Sequence, residues 1–445
     1  MSVSSFYGLQ TSLRGLLAQQ RSIDVTGHNI ANASTRGYSR QEATLAASAA
    51  LTLPAATQNG AGAHLGSGVD VQSYRRVRDT FLDLQYRAQA TSLGGNRSRS
   101  TALDRAELAL AEPSDNGINT QLARFWNAWS DVANHPESPA ARQTLVSQAG
   151  ALVNSFATVD SHLATVRAQA EDEYAALTGP GGDVEAIARE LAELNGTIGR
   201  FMSAGDTPND LLDRRDLLLD KLSELGQVSV SESATPGSVV VSFGGAAEPL
   251  VTGEAVTWPQ ELTDPGGRLG ALKKLGGPTG EIESYRAQLG AVAAGLADSV
   301  NALHQTGSNG TAGPFFSYTP GAAASTLAVA VAPAGVASTT GTAAGANDLA
   351  RAIAALRGGA ADSSYKSFIA RVGTDVREAK RLEANSEVLE RAVDDRRQSV
   401  AGVAMDEEMT NLVRFQRAYQ ASARAMSTMD EMLDVLINRT GRVGL

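Results

Sequence analysis

The sequence predicts a mainly α protein whose N- and C-terminal helices pair as a coiled coil, with a central helical bundle and small β-rich insertions. Three observations carry this expectation. Apolar residues near both ends recur on alternating three- and four-residue steps, the spacing of a heptad seam. All 14 prolines lie between Pro54 and Pro333, which leaves both ends free to form long unkinked helices. Between the ends, apolar residues keep helical spacing and are interrupted by short connections bearing glycine and proline.

At the start, Phe6, Leu9, Leu13, Leu16, Ile23 and Ile30 form the stripe, with Gln20 and Gly27 occupying seam positions. Asn32 can end that helix, and Gly37 can supply a positive φ where the chain reverses before Tyr38. At the other end Leu412, Phe415, Tyr419, Ser422, Met426, Met429, Leu433 and Leu436 follow the same rule. Neither stripe can bury itself alone. Each is only a few heptads long, so two amphipathic helices packed on an ordinary domain would show the same pattern.

From Ala46 to Asp70 the chain turns to Ala, Thr, Gly, Asn and Pro, an extended linker or β-turn segment. A helical region is expected from near Tyr74, with Val77, Phe81, Leu84 and Leu103 on its apolar face. Beyond Pro113, Ile118, Leu122, Phe125, Trp126, Trp129 and Val132 continue at helical spacing and read as core. Ser138 and Pro139 make a helix start, a hydroxyl cap with proline at the first position. That helix carries Leu145, Leu152, Phe156, Val159, Leu163 and Val166 inward and ends at Gly179-Pro180-Gly181-Gly182. Ile187, Leu191, Leu194 and Ile198 form the next stripe. Thr207-Pro208-Asn209-Asp210 is expected to be a capping box opening a helix with Leu211, Leu218, Leu222 and Leu225 on one side.

Two stretches break the helical rule. Val228 to Leu262 holds short β-branched runs separated by turn signals, as small antiparallel strands would be. Thr326 to Val336 fits a strand or an ordered loop. Helix returns from Glu281 to Leu303 and again from near Asn347, with breaks expected at Gly358, Gly373 and Gly402. The domain division expected is therefore a terminal assembly domain (1–45 and 400–445), a bundle (46–225, 265–304 and 347–399), a small β element (226–264) and a loop or β insertion (305–346).

Composition limits the function. The 445-residue chain carries a net charge of −10, which disfavours nucleic acid or an anionic membrane as a partner and favours protein. No run is long and apolar enough to span a bilayer, and residues 1–12 have neither a basic nor an apolar leader segment. With no cysteine there is no disulfide, thiolate metal site or cysteine nucleophile. The histidines His28, His64, His135, His162 and His304 lack the spacing of a zinc-protease helix, so no metal or other cofactor is expected. Gly276-Gly277-Pro278 and its like lack the Lys-Ser/Thr ending of a phosphate loop, and no Gly-x-Ser-x-Gly elbow occurs. Glu171-Asp172-Glu173 and Asp394-Asp395 fit solvated helix faces better than a glycosidase pair. Catalysis is not expected.

The specific motifs concern architecture. Asn29-Ile30-Ala31-Asn32, Thr35 and Gly37-Tyr38-Ser39-Arg40-Gln41 resemble the N-terminal signature of the bacterial flagellar axial proteins of rod, hook and hook–filament junction. Gly68-Val69-Asp70-Val71, Arg76, Asp79, Phe81 and Leu82 are similar to its second element. Gly402-Val403, Met405-Asp406-Glu407-Glu408-Met409, Asn411-Leu412, Phe415-Gln416, Ala418 to Ala423 and Asp430-Glu431-Met432-Leu433 resemble its C-terminal partner. Within that group the middle of the chain resembles the hook-associated protein 1 family, through Arg142-Gln143, Leu191 to Ile198, Asn209 to Asp216, Val300 to His304 and Gly313-Pro314-Phe315-Phe316. Larger members carry a β-rich outer domain, and Thr306 to Asn347 is too short and too poor in strand-forming runs to hold one.

The resemblance implies a structural subunit at the junction of hook and filament. It implies that the terminal helices pair antiparallel and line an inner tube, in a helical ring of copies of the chain itself. The implied neighbours are the hook protein and the second junction protein, with an export chaperone on the C-terminal helix. The implied location is the extracellular flagellum, reached without a cleaved signal peptide. The assembly interface expected is Phe6, Leu9, Leu13, Leu16, Ile23, Ile30, Asn32, Gly37, Tyr38, Leu412, Phe415, Tyr419, Met426, Met429, Leu433 and Leu436. Three other readings compete: a rod or hook subunit, a cell-wall enzyme such as a muramidase, and an adhesin.

Overall fold

The computed structural model describes residues 6–53, 63–110 and 112–439. The middle of the Ala46–Asp70 segment and the two chain ends lie outside the described residues. In chain order, α1 (Tyr7–Ala31) is followed by four strands, β1 (Gln41–Ala47), β2 (Leu51–Leu53), β3 (Ala63–Leu65) and β4 (Val69–Arg76). The helices α2 (Thr80–Leu110), α3 (Ile118–Asn134), α4 (Pro139–Thr178), α5 (Asp183–Ser203) and α6 (Asn209–Leu225) come next. A small sheet follows, β5 (Val228–Glu232), β6 (Val239–Phe243), β7 (Val251–Thr252) and β8 (Ala255–Val256), and then α7 (Gly267–Gly276) and α8 (Glu281–His304). The short elements α9 (Gly307–Gly310), β9 (Phe316–Ser317), α10 (Ala323–Thr326) and β10 (Ala328–Val329) lead into α11 (Asp348–Ala354), α12 (Ala360–Ala401) and α13 (Met405–Asp434). The fold is mainly α, as the spacing predicts.

The bundle is built by α2, α3, α4, α6, α7, α8 and α12 around one apolar core. Phe125, Trp126 and Trp129 of α3 are buried there, as are Leu145, Leu152, Phe156 and Leu163 of α4. The Ser138 hydroxyl caps α4 by accepting from the Ala141 N–H. Phe315 and Phe316, just before and within β9, insert their rings 5.3–6.0 Å from those of Phe125 and Trp129. Asn301 fixes that insertion, its Oδ1 accepting from the N–H groups of Phe315 and Phe316 and its Nδ2 donating to the Phe316 carbonyl. The segment 305–346 thus closes over the bundle with little strand, two residues in each of β9 and β10.

Several expectations are corrected. The chain at Tyr74 is strand, because β4 pairs antiparallel with β1, Gln41 opposite Arg76, and helix begins only at Thr80. β2 and β3 extend this ribbon, so part of the expected linker is sheet. On α2, Phe81 and Leu84 are 62% and 57% exposed, whereas Leu82, Tyr86, Ala90 and Leu93 are buried. The buried face of α2 also carries Asp83 and Arg87, which apolar periodicity cannot register. The capping box of α6 does not form: Pro208 occupies the cap position without a side-chain bond, and Asn209 donates instead to Gln41 Oε1 and the Tyr74 carbonyl. Gly373 does not break α12, which runs unbroken for 42 residues. A helical glycine costs about 1 kcal/mol, and the packing of α12 on α2 offsets it. The four-stranded sheet β5-β6-β7-β8 appears where short strands were expected.

Candidate assembly interface

The terminal helices lie antiparallel against each other. A Cβ built on Gly8 would fall 2.8 Å from Met429 Cε, one on Gly15 would fall 3.3 Å from Ser422 Oγ, and Asn29 Nδ2 donates to Glu408 Oε2 at 3.1 Å. Each step of seven along α1 is matched by seven back along α13. That repeat is the heptad register of a coiled coil.

The α1 seam is not the one the apolar residues mark. Its line is Gly8, Gly15, Ser22 and Asn29, one position before Leu9, Leu16, Ile23 and Ile30. Ala18, Ser22, Thr26 and Asn29 are buried, while Leu9, Leu16, Ile23 and Ile30 are only half-buried. Leu13 is 43% exposed, and Phe6, just ahead of the helix, 53%. Small residues let the two backbones approach, and the larger side chains are left flanking the contact. On α13 the expected residues Leu412, Phe415, Tyr419, Met426, Met429 and Leu433 are all half-buried on the side facing α1. Leu436 falls in the π-helical turn Val435–Arg439 and is exposed. Leu17, Met409, Val413 and Met432 are exposed as well.

The turn after α1 ties the pair together. Asn32 stands at the end of the helix, its Nδ2 donating to the His28 carbonyl, and Gly37 has φ +84°. The Asn29 side chain is buried and fully bonded: Nδ2 donates to the Gln41 carbonyl and to Glu408, and Oδ1 accepts from the Gln41 N–H and the Tyr38 hydroxyl. Burial pushes the Tyr38 hydroxyl's pKa up, with the nearby carboxylates of Asp210, Asp213 and Glu408 adding to it. Arg40 closes the arrangement through Glu42 at 3.0 Å and Glu407 at 3.2 Å.

Beside this lies an ionic cluster that the sequence reading did not single out. Asp213, Asp216 and Asp220 share one face of α6 and meet Arg76, Arg78 and Arg87. Arg397 of α12 pairs with Asp220 at 2.6 Å, and Ser39 gives Asp213 both its N–H and its hydroxyl. Burial works against the charge on Asp216, but Arg78, Arg76 and Arg87 outweigh it and hold the carboxyl below its ordinary pKa. Burial likewise opposes the charge on Arg78, and Asp216 and Asp83 raise its pKa above the usual value despite it. A signal existed in the sequence: aspartates at i, i+3 and i+7 on the inward side of a helix, with three arginines ahead of it that need partners.

The terminal helices and the bundle also match known families. Residues 9–38 match the family described as flagella basal body rod protein, and residues 396–439 the flagellar basal body rod FlgEFG protein C-terminal family. Residues 103–258 match the flagellar hook-associated protein FlgK helical domain. Over 506 aligned positions the chain is 30% identical to flagellar hook-associated protein 1 of Bacillus subtilis, covering 98% of this chain and 99% of that one. The chain belongs to the flagellar hook-associated protein 1 family. It is 30% identical to the Escherichia coli hook-associated protein 1 over 69% of its own length, and spans 59% of that relative's. A solved structure, the flagellar hook junction protein FlgK from Burkholderia pseudomallei, is similar over 53% of this chain and 46% of its own, with 25% identity and a TM-score of 0.47.

As a hook-associated protein 1 family member, the chain is a structural component of the flagellum. The match to the hook-associated helical domain favours that reading over a rod or hook subunit, which would share only the ends. Asn29, bonded to Tyr38 and Gln41, is the residue that joins α1 to Glu408 near the start of α13. No group of three or more metal-ligating side chains occurs among the described residues, and no described helix is long and apolar enough to cross a membrane.

Proposed function

We propose that this chain is a structural, non-enzymatic subunit that forms the junction between hook and filament and on which the filament assembles. Copies of the chain associate side by side through the terminal helices, between the hook protein and the second junction protein. The observation that carries this reading is the inverted seam of α1. On the α1 side the pair closes through small and polar residues, and Phe6, Leu13, Leu17, Met409 and Val413 are left outward. Apolar side chains on a paired helical rod are what a neighbouring copy would cover. We also propose that the chain leaves the cell through the flagellar export apparatus without a cleaved leader, with a chaperone covering the C-terminal helix until assembly.

Deletion of the gene, with electron microscopy of the cells and assay of the medium for flagellin, tests the reading. Hooks without filaments and flagellin shed unpolymerised are the expected outcome. Absent hooks would move the protein inward to the rod or hook, and normal filaments would overturn the junction role.

A further inference from the structure

The terminal module, residues 6–53 and 63–76 with 405–434, joins the bundle through two covalent crossings, at 77–79 and at 402–404. The crossings run side by side. The Arg40 N–H donates to the Ala401 carbonyl at 2.8 Å, and the Arg40 carbonyl accepts from the Val77 N–H at 2.8 Å, so one residue bridges both. Around this pivot the contacts between module and bundle are mainly polar, and α6 supplies the bundle's side of them. Gln41 Nε2 donates to Asp210 Oδ1 at 2.8 Å, and Asn209 reaches Gln41 and the Tyr74 carbonyl. Ser39 donates twice to Asp213, and Arg76 bridges Asp213 and Asp216 at 2.8 and 2.7 Å. Leu217, against which a Cβ on Gly37 would lie at 3.3 Å, adds an apolar touch.

A joint of this kind behaves differently from a hydrophobic one. Two bodies held by a small polar interface move relative to each other unless the polar contacts are complete. Here they act as a unit, because Arg76, Arg78, Arg87 and Arg397 share Asp83, Asp213, Asp216 and Asp220, and loss of one carboxylate strands the arginines that used it. We propose that the terminal module is a lever hinged at 77–79 and 402–404, held in one orientation by an ionic latch whose fixed half is Asp210, Asp213 and Asp216 of α6. The moving half is Ser39, Gln41 and Arg76. The latch belongs to the single chain, so it stands apart from the place in the flagellum proposed above.

The absence of native cysteine allows a direct measurement. Spin labels on Ala421→Cys in α13 and Ser161→Cys in α4, both exposed positions, report the orientation of the lever as a distance distribution in the full-length chain. The unaltered latch should give one narrow distribution. Asp213→Asn with Asp216→Asn should at least double its width while circular dichroism shows the same helix content. Ser39→Ala with Gln41→Ala, which leaves every bundle carboxylate in place, should broaden it too, and decides the matter alone if the aspartate variant loses helix. A narrow distribution in a folded Ser39/Gln41 variant would overturn the latch, as would a distribution already broad in the unaltered chain.

Discussion

Asn29 shows how much one polar side chain can hold. Its amide has four partners in a buried site, three of them in the turn that follows and the fourth on α13. Asn29→Ala would leave the Tyr38 hydroxyl and the Glu408 carboxylate short of partners in a buried setting. Loss of stability of about 2–3 kcal/mol is expected, read as a lower urea midpoint with an unchanged slope. Gly37 is a conformational requirement of another sort. At φ +84° a β-branched residue is strained by about 1–3 kcal/mol, and its Cβ would also press on Leu217. Gly37→Val should therefore lower the melting temperature, and a variant that melts with the parent would refute the requirement. Gly94, within α2, is fixed by space instead: a Cβ there would collide with the Glu224 carbonyl. Gly94→Ala should destabilise by more than the ~1 kcal/mol that alanine normally gains in a helix, because the end of α6 would have to move. A higher thermal midpoint for that variant would show that the close approach yields without loss.

Among the elements, the terminal pair carries the clearest lesson. On α13 the heptad rule marks Phe415, Tyr419, Met426, Met429 and Leu433, all half-buried, and the α1 positions opposite include Gly8, Gly15 and Asn29. It mislocated the α1 seam by one position, since a seam made of Gly8, Gly15, Ser22 and Asn29 has no hydrophobic signal. Leu433→Asp should weaken the pair, placing an unpaired charge in a half-buried seam at a cost of about 1–3 kcal/mol, and should abolish assembly while the bundle stays folded. Circular dichroism and microscopy of hook tips check this; a uniform loss of helix throughout the chain would count against it. The reading of α2 failed for a related reason. Phe81 and Leu84 are large apolar residues of its first turns, yet the side that packs is the one bearing Leu82, Asp83, Tyr86 and Arg87, where Asp83 pairs with Arg78 just ahead of the helix and Arg87 with Asp220 of α6.

At the scale of the whole molecule, the ionic cluster makes stability depend on acid. Asp216 has a folded pKa below its unfolded value of about 4, so its contribution is complete above that value and is lost as pH falls through the lower folded one. Asp216→Asn should lower stability near neutrality by about 3 kcal/mol and flatten the loss below about pH 4. Urea midpoints across that range measure both effects, and parallel curves for parent and variant would show that other carboxylates set the acid limit.

The sequence by itself determined the class of the fold, the long unkinked ends, the aromatic core and the capped start of α4. These follow from periodicity, proline placement and local capping, which act over a few residues. Its motifs also pointed to the flagellar family before any tertiary contact was known. Only the tertiary structure decided which face of α1 meets α13, why the chain at Tyr74 is strand, and where Asp213, Asp216 and Asp220 find their arginines. Close packing of small residues, strand pairing and buried ion pairs join positions tens to hundreds of residues apart. Their energy lies in the pairing, and a single segment read alone carries only half of it.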